Sequence, residues 1–285
     1  MPKLVPSTKV LNRIANDEAY KSSYPAMKGN GHPATQELHV FLAEIDPSQK
    51  RVKQYYKAVK DWNEQHSELT DKMKACYLAL IFRDSKGNEK TVKVMQSARY
   101  FRCDNTDEVV KEAHKDADYF VKRGFSVIRE KIEAMAYGIE GIPQTDAETQ
   151  SYQTKYFEFH IKIGRNDAKD KRQLDKKEIK ALKSISSQFT SQFKKPVPLS
   201  YNCNQDGVSG DGLGHQRFLN VRFRNQGITS IKPKLETINK AISDIGLRVI
   251  KTISEYVWYD SYTALDHGWI DYSPEELEDL LNSNK

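Results

Sequence analysis

The chain has 285 residues, 38% of them hydrophobic, 29% charged and 10% aromatic, which is polar for a globular protein but supplies enough large side chains to build cores. Its 45 Lys and Arg against 39 Asp and Glu leave a formal charge of +6, an excess that favours anionic partners but is modest for a dedicated nucleic-acid binder. Three widely spaced cysteines, Cys76, Cys103 and Cys203, argue against a disulfide framework or a zinc site, and no apolar run reaches the length of a secretory signal or a membrane span. These features predict a soluble protein of the cytoplasm, or of the nucleus in a eukaryote, with no membrane partner.

Residues 1–36 hold Pro2, Pro6, Pro25 and Pro33 among Gly, Ser and Asn, and read as an N-terminal arm. From position 37 the pattern becomes regular. A strand at Leu38 to Ile45, a helix over Gln49 to Gln65 and a strand at Ala75 to Phe82 lead into Ser85-Lys86-Gly87-Asn88, whose Gly and Asn suit a hairpin turn. The chain returns through Thr91 to Ser97. A second helix, Thr106 to Lys122, is predicted with Thr106 as its cap and Asp107 and Glu108 at the positive end of its dipole; Gly124 ends it before a strand to Met135.

Residues 138–154 read as a linker, and the same order of elements then recurs. A strand at Tyr156 to Ile163 precedes a helix over Lys176 to Phe193, a strand at Val197 to Cys203, a strand at Phe218 to Arg224, a helix over Lys232 to Ile245 and a strand from Leu247 to Tyr259. The predicted fold is α+β: two tandem ferredoxin-like (βαββαβ) units, 37–137 and 155–260, whose antiparallel sheets face a shared cleft, with 261–285 as a C-terminal extension. A glycine-rich loop, Asn204 to His215, replaces the short hairpin turn in the second unit. It matches neither GxxxxGK[ST] nor GxGxxG.

The candidate site lies on alternating strand positions. In Tyr156-Phe157-Glu158-Phe159-His160-Ile161-Lys162-Ile163 the apolar residues take one face, and Glu158, His160 and Lys162 share the other. Pairing with Phe218 to Arg224 would set Asn220, Arg222 and Arg224 beside them. The strand with Arg129, Lys131 and Glu133 carries a similar set, interrupted by Glu130, and would face them across the cleft. The simplest reading of such a charged face is solvated surface. The functional reading makes His160 and Glu158 catalytic, and gives substrate binding to Lys162, Arg129, Lys131, Glu133, Asn220, Arg222, His215 and Asp260. The seven histidines show no HExxH or other paired spacing, so neither a metal nor another cofactor is expected.

The outline resembles that of the two-histidine phosphoesterases and of tandem RNA-recognition and CRISPR-repeat-processing folds. Where the first of these carries two His-x-Ser/Thr strands, this chain has His160-Ile161-Lys162 and Asn220-Val221-Arg222. The leading expectation is an enzyme, a phosphoesterase-like hydrolase, acting on a phosphorylated or otherwise anionic small molecule such as a nucleotide phosphoester, with His160 as acid and base. The alternative is an RNA- or DNA-binding or protein-interaction module without catalysis, using the basic segment Arg165 to Lys183.

Overall fold

Strand β2 (Thr35–Ile45) is buried over most of its length although Glu37 and His39 alternate with Leu38 and Val40, and β5 (Val127–Met135) shows the same double burial. A strand can bury both faces only if each has a cover. Here the apolar face is covered by helices and the polar face turns into a barrel.

The structure is a computed structural model that describes residues 27–29, 32–83, 89–137, 139–149, 155–165, 174–203 and 217–261. After the two-residue β1 (Lys28–Gly29) and β2 come α1 (Gln49–Gln65), β3 (Lys74–Arg83), β4 (Glu89–Arg102), α2 (Thr106–Val121) and β5. The short β6 (Ile139–Glu140), which pairs with β1, and α3 (Asp146–Thr149) form the connection. Then follow β7 (Tyr156–Arg165), α4 (Lys176–Phe193), β8 (Leu199–Asn202), β9 (Arg217–Arg224), α5 (Ile228–Asp244) and β10 (Leu247–Asp260). The Ser85–Asn88 turn, the glycine-rich loop with His215 and the extension after Ser261 lie outside the described residues.

Eight strands close into one antiparallel barrel in the order β10-β5-β2-β4-β3-β8-β9-β7. This corrects the expected pair of sheets facing a cleft. Strand β10 is bonded to both β7 and β5, and β3 to β8, so the edges that would have bordered a cleft are consumed in closing the sheet. The mixed α+β class stands, while the arrangement within it is a single closed sheet with helices outside.

Local sequence explains the helices. Ser48 caps α1 by accepting from the Arg51 N–H, and Val52, Tyr55, Val59 and Trp62 at helical spacing pack against Val40, Met95 and Phe120. The cap of α2 is Asn105, one residue before the expected Thr106, and its amide oxygen accepts from the Asp107 and Glu108 N–H groups. Gly124, at φ 75°, makes the left-handed turn into β5. Asp175 and Glu178 form a reciprocal capping box on α4. Helix α5 starts four residues before the expected Lys232: Gly227 is its cap, the Gly227 N–H donates to Asp146, and Pro233 is accommodated inside the helix. The outward residues of β7 and β9, among them Phe157, Phe159, Ile161, Val221 and Phe223, share a core with Leu182, Ile185 and Phe189 of α4 and Ile231, Ile238 and Ile242 of α5. Among the described residues no helix is long and apolar enough to cross a membrane.

Candidate functional site in the barrel interior

Register fixes which residues meet. Strand β7 pairs with β9 so that Glu158 lies opposite Arg222 and His160 opposite Asn220, as the alternation of the two strands implied. On its other side β7 pairs with β10, where Glu158 lies opposite Glu255. Strand β2 pairs with β5, placing Glu37 opposite Glu133, His39 opposite Lys131 and Phe41 opposite Arg129. Strand β10 separates β5 from β7, yet their side chains meet inside the barrel: the Lys131 ammonium donates to Glu158 at 2.8 Å and also contacts Glu133.

The buried cations are committed to acids. Arg222 donates to the other Glu158 oxygen at 2.8 Å. Arg129 donates to Asp260 Oδ1 at 2.9 Å and to the Tyr156 hydroxyl at 2.8 Å, and that hydroxyl donates to Asp260 Oδ2. Burial works against the Glu158 carboxylate, but Arg222, Lys131 and His160 hold its pKa well below the usual range. Glu133 is held low in the same way, against burial, by Lys131 and His39. Lys162 sits opposite Phe218 and, on the β10 side, Lys251, and is half-buried. Glu130, which broke the alternation, faces outward and meets His114 of α2 at 2.5 Å.

His160 is held as an imidazolium. The Asn220 side-chain NH2 donates to Ser200 Oγ at 2.9 Å and to the Pro198 carbonyl at 3.2 Å, which turns the Asn220 oxygen toward His160 Nδ1 at 2.6 Å. His160 Nδ1 therefore donates. Nε2 faces Glu255 Oε2 at 3.3 Å and Glu158 at 3.7 Å, two carboxylates that favour a proton on it as well. Burial lowers the pKa of this ring, but the approach of Glu255 and the Glu158 and Glu255 charges outweigh it and bring it to about 9.

Three residues absent from the sequence expectation, Glu37, His39 and Glu255, complete the interior. Glu37 and His39 of β2 are buried with Glu133 of β5, and each of these three offers a ligand atom within 4.8 Å of the others. His39 Nε2 donates to Glu133 Oε2 at 2.8 Å, while its Nδ1 is buried with no hydrogen-bond partner. Glu255 is 2% exposed, and its Oε2, which faces His160 Nε2 at 3.3 Å, lacks a well-formed hydrogen bond. Burial, then the Glu133 charge, push the Glu255 carboxyl up to about 7. A signal for the two β2 residues was present: Glu37-Leu38-His39-Val40-Phe41-Leu42 alternates as the β7 stretch does.

Fold and interior together define an eight-strand antiparallel α+β barrel with a charged, carboxylate-rich lumen. No family model matches the chain, and no curated protein matches it. Solved structures similar to it include a heme-binding protein from Thermus thermophilus (9% identity over 90% of this chain and 98% of that one, TM-score 0.26). Others are a dye-decolorizing protein from V. cholerae (10% identity, 79% and 94%, TM-score 0.23) and a protein described as a monooxygenase from Fusobacterium nucleatum (8% identity, 85% and 98%, TM-score 0.27). At these scores the likeness assigns no chemistry to this chain.

The expected phosphoesterase-like, nucleotide-binding hydrolase is corrected on the ground of charge: Arg129, Lys131 and Arg222, expected to neutralise an anionic substrate, already face Asp260, Glu133 and Glu158 inside a closed barrel. The nucleic-acid partner is corrected likewise, because Arg165 at the start of the basic segment is bonded to Glu178 in the α4 cap.

Proposed function

We propose that the protein is a metal-dependent enzyme whose centre is Glu37, His39 and Glu133, holding a divalent cation of the Mn2+ or Fe2+ class inside the barrel. The observation that carries this reading is the convergence of two carboxylates and an imidazole, all buried, with ligand atoms within 4.8 Å of one another. Carboxylate oxygens with one imidazole suit manganese and ferrous iron, and three protein ligands leave coordination positions for water or substrate. Entry would be past Lys74, whose side chain is 55% exposed and whose ammonium lies 3.8 Å from Glu37 and over the Tyr100 ring. On this proposal two ferredoxin-like units, 37–137 and 155–260, are fused through 138–154 into one barrel, with the metal set in the first unit.

Heme, which one of the similar structures is named for binding, fits the described interior poorly. A porphyrin needs broad apolar walls and an axial ligand with a free ring nitrogen. Here both His160 nitrogens face Asn220 and carboxylates, and His39, whose Nδ1 is free, is set among the charges of Glu37, Glu133 and Lys131 and not among broad apolar walls.

The test is metal content after loading the full chain with Mn2+ and removing excess. The reading expects about one ion per chain and a stabilisation of about 2.7 kcal/mol at a hundredfold excess over Kd. His39→Ala and Glu37→Gln should each abolish both effects. A wild-type protein that takes up no Mn2+ or Fe2+ at millimolar concentration would end the proposal.

A further inference from the structure

The metal-centre reading leaves one buried carboxylate unexplained. Glu37, Glu133, Glu255 and Glu158 follow one another on the adjacent strands β2, β5, β10 and β7. Glu37 is opposite Glu133, Glu255 is opposite Glu158, and Glu133 and Glu255 lie on the diagonal, because Glu133 pairs with Val257 and Glu255 with Met135. Four carboxylates thus form one continuous band across four of the eight barrel strands. Glu158 is saturated by Arg222 and Lys131, and Glu133 is paired with Lys131 and His39. Among the described residues Glu255 has only the approach of His160 Nε2 to its Oε2 at 3.3 Å, longer than the roughly 2.7–2.9 Å of a good charge-assisted bond and without good hydrogen-bond geometry.

We propose that Glu255 is a fourth protein ligand of the same centre, turning from His160 to the cation when the ion enters. The inference rests on the metal-centre reading and adds to it the residue that links the ion to the second half of the barrel. Two features of the geometry favour the turn. A buried carboxylate beside two others is costly, the His160 imidazolium offsets that cost from 3.3 Å, and an ion at Glu37 and Glu133 would offset it more directly. When Glu255 leaves, His160 keeps the Asn220 oxygen at 2.6 Å and the Glu158 carboxylate at 3.7 Å. The direct consequence is that metal loading is felt at His160, a residue outside the ligand set.

The experiment measures Mn2+ affinity of the full chain for the wild type, Glu255→Gln and Glu255→Asp. In parallel, the imidazole resonances of His160 are followed as Zn2+, a diamagnetic probe, is added. The expected result is a loss of about 10–100-fold in affinity for Glu255→Gln, a smaller loss for Glu255→Asp, and a His160 signal that moves on loading in the wild type but not in Glu255→Gln. Thermal melting without metal shows whether each variant is folded, and the conservative Asp variant keeps the test open should the Gln variant unfold. Wild-type binding with unchanged affinity in both variants and an unmoved His160 signal would overturn the role of Glu255 while leaving the three-residue centre intact. Absence of any wild-type binding would overturn both.

Discussion

At the scale of single residues, the lumen shows how burial changes what a charged side chain is for. Arg129 was expected to meet substrate, but its guanidinium is fully enclosed and bound to Asp260 and Tyr156. Removing one member of such a pair leaves the other charge buried without compensation. Arg129→Met should therefore cost about 3–5 kcal/mol in urea unfolding, whereas Arg129→Met combined with Asp260→Leu should recover much of the loss. A single-variant cost below about 1 kcal/mol would show that the pair is solvated. His39 and Glu255 teach the converse. Neither has its polar atoms fully used, and both border the carboxylates where a cation would be most stabilised.

At the scale of elements, each strand carries two instructions, and the helices read only one. The apolar positions of β7 recruit α4 and α5, while its polar positions have no partner until β10 and β9 flank it. The helices themselves are specified locally. The capping box of Asp175 and Glu178 satisfies end groups of α4 and also engages Arg165 at the end of β7. Asp175→Ala should lower stability by about 1 kcal/mol in the same unfolding assay, with no change in Mn2+ binding, since α4 lies on the outer face of the barrel. A loss of metal affinity in that variant would show that the helix start is coupled to the lumen.

For the whole molecule, the lumen makes stability depend on pH. His160 has its pKa raised from 6.5 to about 9 and Glu255 from 4.5 to about 7, so these two groups together bind more protons in the native state than in the unfolded chain between about pH 4.5 and 9. The stability from Glu255 is full below 4.5 and lost as pH rises through about 7; that from His160 is full below 6.5 and lost as pH rises through about 9. Glu133 and Glu158, held low, act in the opposite sense and lose their contribution as pH falls below 4.5. The expected optimum is mildly acidic. Denaturant titrations at about pH 5.5 and 9 should differ by an amount on the order of 2–5 kcal/mol in favour of the acidic condition. Equal stability, or higher stability in the alkaline condition, would contradict the proton count of the lumen.

The sequence by itself determined the order of strands and helices, because periods of two and of 3.6 residues and the caps and glycines that end them are local properties. It also determined that Glu158, His160 and Lys162 share a face and that Asn220 and Arg222 stand beside them. Only the tertiary structure decided what that face looks at. Alternating charge is the same whether it meets water, a cleft or a lumen, and the choice is made by bonds of β10 to β5 and of β3 to β8, between residues far apart in the chain. Closing the sheet turned an expected anion-binding surface into a set of paired charges. It also brought Glu37 and His39, which β2 presents with the same alternation, against Glu133 of β5, a meeting that no spacing along the chain could reveal.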